Sequence, residues 1–294
     1  MNNKPDFLLS YAKDVTSQHG EDGMIEHIFE VIGEESKWCV ELGALNGKHD
    51  SNVWRLLKEK GWSGVLIEAD PTYYEKLVAE YSDVPSATCI KAFVSFEGET
   101  SLDALFATTK MPTTFDLLSL DIDGNEYHLW DSLVKYTPRV VVIEFNPSIP
   151  NDVSFIQPRD MSVFQGASAR AFVELAKERG YELVGSNVTN AFFVRKELFP
   201  LFDMEENSLA SVRTDHRYET MLYQLYDGTL KTSGNQDLIW HKRPIDEERL
   251  QVLPRHKRRY PATISQSETL RAFKFWVRQQ PFYAFVQKLR AYVR

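Results

Sequence analysis

The feature that most constrains the fold is a regular alternation of short strand-like segments and longer helix-like segments over the first 200 residues. The strand-like segments are rich in β-branched and aromatic residues, and the segments between them show helical spacing of apolar residues. Apolar strands that alternate with helices predict a parallel sheet covered by helices on both faces. The predicted strands are 38–42, 64–68, 87–93, 115–120 and 140–144, and the predicted helices are 23–32, 52–60, 73–81, 101–107 and 126–134.

The alternation ends in a further helix over 169–179, which Gly180 terminates, and two strands over 181–186 and 191–194. Five βα units followed by an antiparallel pair indicate the seven-stranded variant of the Rossmann sheet. Beyond residue 203 the alternation is lost. We therefore predict an α/β domain over 1–203 and a mainly helical extension over 204–294, in which 213–235 has no assignable pattern.

The net charge of −8 conceals two oppositely charged regions. Residues 241–294 contain 13 Lys and Arg against 4 Asp and Glu, a net charge of +9, so the remaining 240 residues carry −17. An acidic body makes nucleic-acid binding the least favoured function, whereas the basic tail suits an anionic surface.

Cysteine content and hydropathy exclude several classes of protein. Cys39 and Cys89 are the only cysteines, which rules out a disulfide framework and a four-cysteine zinc site. The first residues are polar, without the apolar region of a signal peptide, and no run of 18 apolar residues occurs. We predict a cytoplasmic protein, either soluble or peripheral at the inner face of a membrane.

The first predicted strand runs into a glycine turn, ELGALNG at 41–47. A glycine here lets the backbone approach a ligand closely, and the spacing differs from the Gly-x-Gly-x-x-Gly of dinucleotide sites. The second strand ends at Glu68, whose carboxylate can accept hydrogen bonds from two ribose hydroxyls. The two elements resemble motifs I and II of class I methyltransferases, which use S-adenosylmethionine. The alternative is a structural turn and a surface glutamate.

Acidic and amide side chains follow the fourth and fifth predicted strands. Asp121 and Asp123 come after strand four, and Glu144 and Asn146 after strand five. Ligands of open α/β sheets bind beyond the carboxyl ends of the strands, so these side chains are expected to converge there. Oxygen ligands of this kind suit Mg²⁺. We predict that Asp121, Glu144 and Asn146 bind a metal.

Two segments resemble FkbM-like methyltransferases. TSQHGED at 16–22 is similar to the Ser-Gln-x-Gly-Glu-Asp opening of that family, and DIDGNE at 121–126 is similar to its Asp-x-Glu-Gly-x-Glu segment, with Asp at 123. The Asp-x-Asp pair is also similar to that of macrocin-type sugar O-methyltransferases, where one Asp binds metal and the second is the base. The chain departs from those enzymes in strand five, where Glu144 and Asn146 replace an Asp-Asp pair.

The resemblance implies roles for particular side chains. Asp123 is the expected base that removes the proton of an acceptor hydroxyl, and His128 is the alternative, although a surface helix histidine is the simpler interpretation. Asp121 can instead contact the cofactor amino group, and Glu126 can complement a helix dipole. The residues expected to contact S-adenosylmethionine are Gln18, Glu41, Gly43, Gly47, Glu68, Ala92 and Asp121. Glu21 and Asp22 either reach the pocket or cap the first helix.

Two further regions are candidates for acceptor and partner binding. The long loop over 146–168 is expected to bind the acceptor, with Phe155, Arg159 and Phe164 as its candidate side chains. The basic run at 254–260 precedes two amphipathic helices on either side of Pro281. Their aromatic and basic faces suit an anionic membrane, and packing or self-association is the alternative.

Together these features predict an O-methyltransferase that uses S-adenosylmethionine and acts on a sugar hydroxyl, with a cell-surface polysaccharide or lipid-linked glycan as acceptor. A small-molecule methyltransferase of natural-product biosynthesis is one alternative. A non-catalytic module that binds glycan or a partner protein is another, and the retained Glu68, Asp121 and Asp123 argue against it.

Overall fold

The computed structural model describes residues 3–260, 268–280 and 282–283. Seven strands form the main sheet: β1 Trp38–Leu42, β2 Ser63–Glu68, β3 Ala87–Lys91, β4 Thr114–Leu120, β5 Thr137–Glu144, β6 Tyr181–Ser186 and β7 Asn190–Arg195. Six helices lie between or before them: α1 Glu21–Ile32, α2 Trp54–Lys58, α3 Pro71–Glu80, α4 Leu102–Ala107, α5 Glu126–Ser132 and α6 Ala169–Glu178.

The strand order is β3-β2-β1-β4-β5-β7-β6. Strand β7 runs in the opposite direction to the other six strands. This confirms the predicted Rossmann-like sheet of the class I methyltransferase type. Two apolar clusters cover the two faces of the sheet. Successive residues of β1 alternate between them, with Val40 in one cluster and Cys39 in the other.

The register of the strands brings the candidate residues to one edge. Leu42 pairs with Ile67 on one side and with Leu120 on the other, so β1, β2 and β4 end level. Chain order along the sheet reverses between β1 and β4, which is the switch point where open α/β sheets bind ligands. Glu68 and Asp121 therefore reach the same edge, at the ends of β2 and β4 on either side of β1.

A buried ion pair stabilises the opposite edge of the sheet, where β4 and β5 begin. Asp116 of β4 is fully buried and accepts a hydrogen bond of 2.7 Å from Arg139 of β5, which is only 3% exposed. The carboxylate also accepts the backbone N–H groups of Glu35 and Lys37, and Arg139 donates to the carbonyls of Ile32 and Gly33. The pair thus joins two strands to the connection between α1 and β1.

Two compact units divide the chain: 1–220 with 237–243, and 221–236 with 244–294. The second unit contains a hairpin of β8 Thr220–Gln224 and β9 Leu230–Gly234, in the segment whose pattern was not assignable, and helix α8 Glu268–Gln279. Short elements complete the chain: α7 Leu209–Val212, β10 Asp237–Leu238 and β11 Arg243–Pro244. The predicted division after residue 203 stays a prediction.

Helix α8 corresponds to the first of the two amphipathic helices predicted for the tail. Phe273, Phe275 and Trp276 are each more than half exposed on it. The second predicted helix falls mostly outside the described residues. Within the described ranges, no helix has the length and apolar character needed to cross a bilayer.

Candidate active site

A cavity of about 370 Å³ opens at the carboxyl ends of β1, β2, β4 and β5. This volume is within the range of small-molecule sites. Six of the seven residues predicted to contact a cofactor line it, together with Asp123 and Glu144; the six are Gln18, Glu41, Gly43, Glu68, Ala92 and Asp121.

The turn after β1 depends on glycine at position 43. Gly43 has a φ of +74°, and a Cβ atom built there would lie 1.9 Å from the carbonyl oxygen of Asp121. The turn therefore needs both a left-handed backbone and a missing side chain, because the tip of β1 packs against the tip of β4. Gly43 and Asp121 both line the cavity, so this packing shapes its floor.

Replacing Gly43 with Ala should weaken binding of S-adenosylhomocysteine about tenfold or more, since the added methyl must separate two strand tips that line the cavity. Calorimetric titration measures the effect. Gly61→Ala is a matched control, because Gly61 has a φ of +69° and nothing within 4 Å of its built Cβ. Equal affinities for the two variants would contradict this role for Gly43.

Glu68 is held at the end of β2 by backbone groups. One carboxylate oxygen accepts the N–H of Leu45 at 2.8 Å, and the other accepts the N–H of Asp70 at 2.7 Å. The side chain is 7% exposed and lines the cavity. Each oxygen keeps a lone pair for a ligand, so Glu68 can receive two vicinal hydroxyl donors in a fixed orientation.

Glu41 is buried beneath the cavity and organises the loop after the glycine turn. Its carboxylate accepts the N–H of Asn52 at 2.6 Å and the hydroxyl of Ser51 at 2.7 Å. Burial raises its pKa to about 8, and the negative charge of Asp121 adds to the increase. The bonds from Ser51 and Asn52 lower the pKa, but by less than burial raises it. The free protein therefore holds Glu41 largely protonated at neutral pH.

This pKa predicts that the protein loses stability as pH rises. A carboxyl whose pKa is higher in the folded than in the unfolded state binds more protons when folded, so its contribution is full below about 4.5 and is lost as pH approaches about 8. Glu41→Gln, which mimics the protonated group, should flatten the decline in unfolding free energy by up to about 1.4 kcal/mol per pH unit.

Urea unfolding at pH 5.5, 6.5 and 7.5 measures this slope. Carboxyls with lowered pKa, such as Glu26, titrate below this window. Glu178→Gln, at an exposed position of α6, is the matched control and should leave the slope of the wild type. A slope unchanged by Glu41→Gln would refute the assignment.

The loop between β4 and α5 has an unusual backbone. Asp123, Gly124 and Asn125 all have positive φ, with values of +59°, +135° and +71°. The buried carboxylate of Glu126 accepts the N–H groups of Ile122 and Gly124 at 3.1 and 2.7 Å, so it stabilises this bend from within. Burial raises the pKa of Glu126 to about 7. The bend leaves Asp123 exposed at the mouth of the cavity.

Asp121 and Glu144 both line the cavity, and their carboxyl groups influence each other's ionisation. Burial raises the pKa of Asp121 to about 6, and the charge of Asp123 adds to the shift. The pKa of Glu144 is raised well above its ordinary value by burial and by the charge of Asp121. One proton between two carboxyls is the arrangement expected for like charges that cannot both ionise.

Of the three predicted metal ligands, Asn146 does not line the cavity with Asp121 and Glu144. The amide of Asn146 donates to the carbonyl of Gln165 at 2.8 Å, and its oxygen accepts two bonds from Ser148. Asn146 lines a different concavity from Asp121 and Glu144. Among the residues that the structure describes, no three His, Cys, Asp or Glu side chains are grouped as metal ligands. We therefore derive no step through a metal.

Two other predicted site residues lie outside the cavity lining. Gly47 has a φ of +82° and packs against Tyr81 of the α3 region, whose hydroxyl donates to its carbonyl at 2.8 Å. His128 forms a 2.9 Å hydrogen bond to the carbonyl of Gln157 and packs edge-on against Phe96. Both positions favour structural roles, and the predicted roles of cofactor contact and alternative base stay predictions.

The segment before α1 brings Gln18 to the rim of the cavity. Asp22 accepts the backbone N–H groups of Val15, Thr16 and Ser17 through one oxygen, at 2.7–2.9 Å. The second acidic residue of this segment, Glu21, ties it to β7 through Asn190. These carboxylates are buried and do not line the cavity, so they position Gln18 instead of contacting a ligand.

The loop over 146–168 is held in place by Gln157, which sequence reasoning did not single out. Its side-chain oxygen accepts the N–H groups of Gln165 and Gly166, and its amide donates to the carbonyl of Val163. Of the acceptor-binding candidates on this loop, only Phe164 lines the cavity. Arg159 lies over the ring of Phe96, at 4.8 Å.

The cavity lining includes residues that no sequence pattern indicated. These are Asp50 and Asn52, from the loop that Glu41 organises. Phe93 also lines the cavity, and it belongs to the segment 91–95 after β3 that fold analogy predicts to lie near an adenine. Phe93 is 60% exposed, so an aromatic side chain stands at the rim. A search for polar residues within ten positions of the glycine turn would have found the first two.

The electrostatic character of the cavity follows from these residues. Six carboxyl side chains line it, and no Lys, Arg or His of the described chain does so; the six are Glu41, Asp50, Glu68, Asp121, Asp123 and Glu144. Such a lining disfavours phosphate-containing ligands and favours a positively charged one.

Comparison with known proteins gives matches among solved structures only. No protein-family model matches the chain, and no curated protein does. The N-terminal domain of EvdMO1 with SAH bound is 13% identical, with a TM-score of 0.39, over 60% of this chain and 80% of that one. An O-methyltransferase from Bacillus cereus in complex with SAH is 18% identical, with a TM-score of 0.40, over 58% and 79%. A putative O-methyltransferase from Klebsiella pneumoniae is 15% identical, with a TM-score of 0.41, over 65% and 89%. Sequence identities and TM-scores this low show nothing about the activity of this chain.

Proposed function

We propose that the protein is an O-methyltransferase that uses S-adenosylmethionine and acts on a sugar hydroxyl. The observation that supports this most strongly is the cavity at the sheet switch point, lined by carboxyls and no basic residue, with Glu68 oriented to receive two hydroxyls. S-adenosylmethionine is a cation with a ribose diol. The cavity has complementary groups for both features.

The residues present fit this cofactor. Glu68 would accept the ribose hydroxyls, Ala92 and Phe93 would border the adenine, and Gly43 allows close approach of the β1 turn. The half-buried pair of Asp121 and Glu144 would supply negative charge near the bound cation. When bound, the cofactor supplies a methyl group on a positively charged sulfur.

The chain would contribute a base and an aromatic surface that a bound acceptor covers. Asp123 lines the cavity and is exposed at its mouth, where its carboxylate can take the proton of an incoming hydroxyl. Phe164 lines the same mouth with 53% of its surface exposed, so an acceptor can cover it and exclude water. A sugar suits this combination because it offers hydroxyls and apolar C–H faces together.

Calorimetry with S-adenosylhomocysteine and with NAD on the full chain tests the cofactor assignment. We expect binding of the first and none of the second. Transfer of a tritiated methyl group to a panel of neutral mono- and oligosaccharides then tests the acceptor class. Failure to bind S-adenosylhomocysteine at high micromolar concentration would favour the non-catalytic alternative.

The tail fits an acceptor attached to a membrane. The exposed aromatic residues Phe273, Phe275 and Trp276 lie on helix α8, which also contains Arg278. This helix follows the basic run at 254–260 in the sequence. Contact with an anionic surface remains part of the proposal, with self-association as its alternative.

A further inference from the structure

A second concavity, of about 300 Å³, lies beside the candidate active site within the first compact unit. We name it the Trp240 groove. Its apolar side chains are two aromatic and two aliphatic ones, Trp240, Phe155, Ile149 and Val153, and its polar groups are amides and a hydroxyl. The residues that matter here are Trp240, Phe155, Ile149, Asn146, Ser148 and Gln165.

The lining has the chemistry of a site for an uncharged polar ligand. No residue that lines the groove is charged, in contrast to the acidic cavity. Trp240 and Phe155 each keep 40% of their surface exposed, so their rings are available for packing. Sugar rings have apolar C–H faces that pack on aromatic rings and hydroxyls that bond to amides, which is the combination this groove offers.

The groove is a built feature of the fold. Arg213 is 1% exposed and donates to the carbonyls of Pro147 and Ile149 at 2.8 and 3.1 Å, which fixes the groove wall. The Asn146 side chain is fixed by its bond to Gln165 across the groove. These bonds hold the polar groups of the groove in place before any ligand binds, so binding costs less conformational entropy.

The groove continues the active-site cavity along two segments of chain. Glu144 lines the cavity, and Asn146, two residues further on, lines the groove. Phe164 lines the cavity, and its neighbour Gln165 lines the groove. Residues adjacent in sequence therefore line the cavity and the groove.

We propose that the Trp240 groove binds neutral sugar units of the acceptor next to the methylated one, so that the acceptor is an oligosaccharide or polysaccharide instead of a free monosaccharide. The proposal rests on the proposed function and specifies its substrate. It assigns Trp240 and Phe155 as stacking residues outside the reacting centre.

Saturation-transfer NMR on the full chain, saturated with S-adenosylhomocysteine, tests the proposal. The probes are trisaccharides of glucose, galactose, mannose, rhamnose and N-acetylglucosamine with the matching monosaccharides. We expect at least one trisaccharide to bind more tightly than its monosaccharide. Trp240→Ala should weaken that binding about tenfold, and Trp240→Phe should restore most of it.

Tyr226→Ala is the control, because Tyr226 is 90% exposed and belongs to the second compact unit. It should change nothing. Loss of S-adenosylhomocysteine binding in the wild type would refute the proposed function. Retained cofactor binding with no preference for any trisaccharide, or a preference unaffected by Trp240→Ala, would overturn the groove assignment alone.

Discussion

Replacing Asp123 with Asn is expected to lower kcat at least about 100-fold while the affinity for S-adenosylhomocysteine stays within about twofold. The amide cannot accept the hydroxyl proton, yet it has the size of the carboxylate. Asn also tolerates positive φ, so the backbone at +59° is retained. The variant therefore removes the proposed base without altering the bend between β4 and α5.

The measurement is tritiated methyl transfer to the best acceptor of the saccharide panel, with calorimetry for the cofactor. Asp131→Asn is the matched control, because Asp131 is an exposed carboxyl at the end of α5 that does not line the cavity. It should leave kcat unchanged. Unchanged turnover in Asp123→Asn would remove the base assignment, and a large loss of cofactor affinity would make Asp123 a binding residue instead.

Replacing Asp116 with Ala is expected to reduce the unfolding free energy by about 3–5 kcal/mol, because it removes the buried charge partner of the Arg139 guanidinium and leaves only Glu35, whose side chain is largely exposed. It also removes the acceptor of the Glu35 and Lys37 backbone N–H groups. A loss of this size is a large fraction of the stability of an ordinary domain, about 5–15 kcal/mol.

Urea unfolding measures the loss. Glu59→Ala is the matched control, since Glu59 pairs with Arg55 on an exposed helix surface and should cost only about 0.5 kcal/mol. A double variant, Asp116→Leu with Arg139→Met, should recover part of the loss, because no isolated charge remains buried. A loss below about 1 kcal/mol for Asp116→Ala would show that the pair contributes little.

The sheet was predictable from sequence where strands are continuous apolar runs. The bounds of β1 and β6 agree with the prediction, because both are buried along nearly their whole length. β5 begins three residues earlier than predicted, at Thr137, since Arg139 interrupts the apolar pattern and is buried through its ion pair with Asp116 and its bonds to the carbonyls of Ile32 and Gly33. The hairpin of β8 and β9 gave no pattern because β8 is mostly exposed on both faces.

The sequence predicted which edge of the sheet carries the site. It did not predict the direction in which each side chain points. Strand ends placed Glu68, Asp121 and Glu144 correctly around one cavity. Sequence could not show that Asn146, two residues after Glu144, turns away to bond Gln165. Nor could it show that His128 bonds a loop carbonyl, because that contact joins residues 29 positions apart.

The absence of basic side chains from the described lining of the cavity, against six carboxyl groups, also bears on how the enzyme would complete a cycle under the proposed function. Methyl transfer removes the positive charge on sulfur, so attraction to the surrounding carboxyls falls once the methyl has left. Spent cofactor is then held less tightly than fresh cofactor by the same residues. Exchange of one for the other is favoured by charge alone, without a conformational change in the protein.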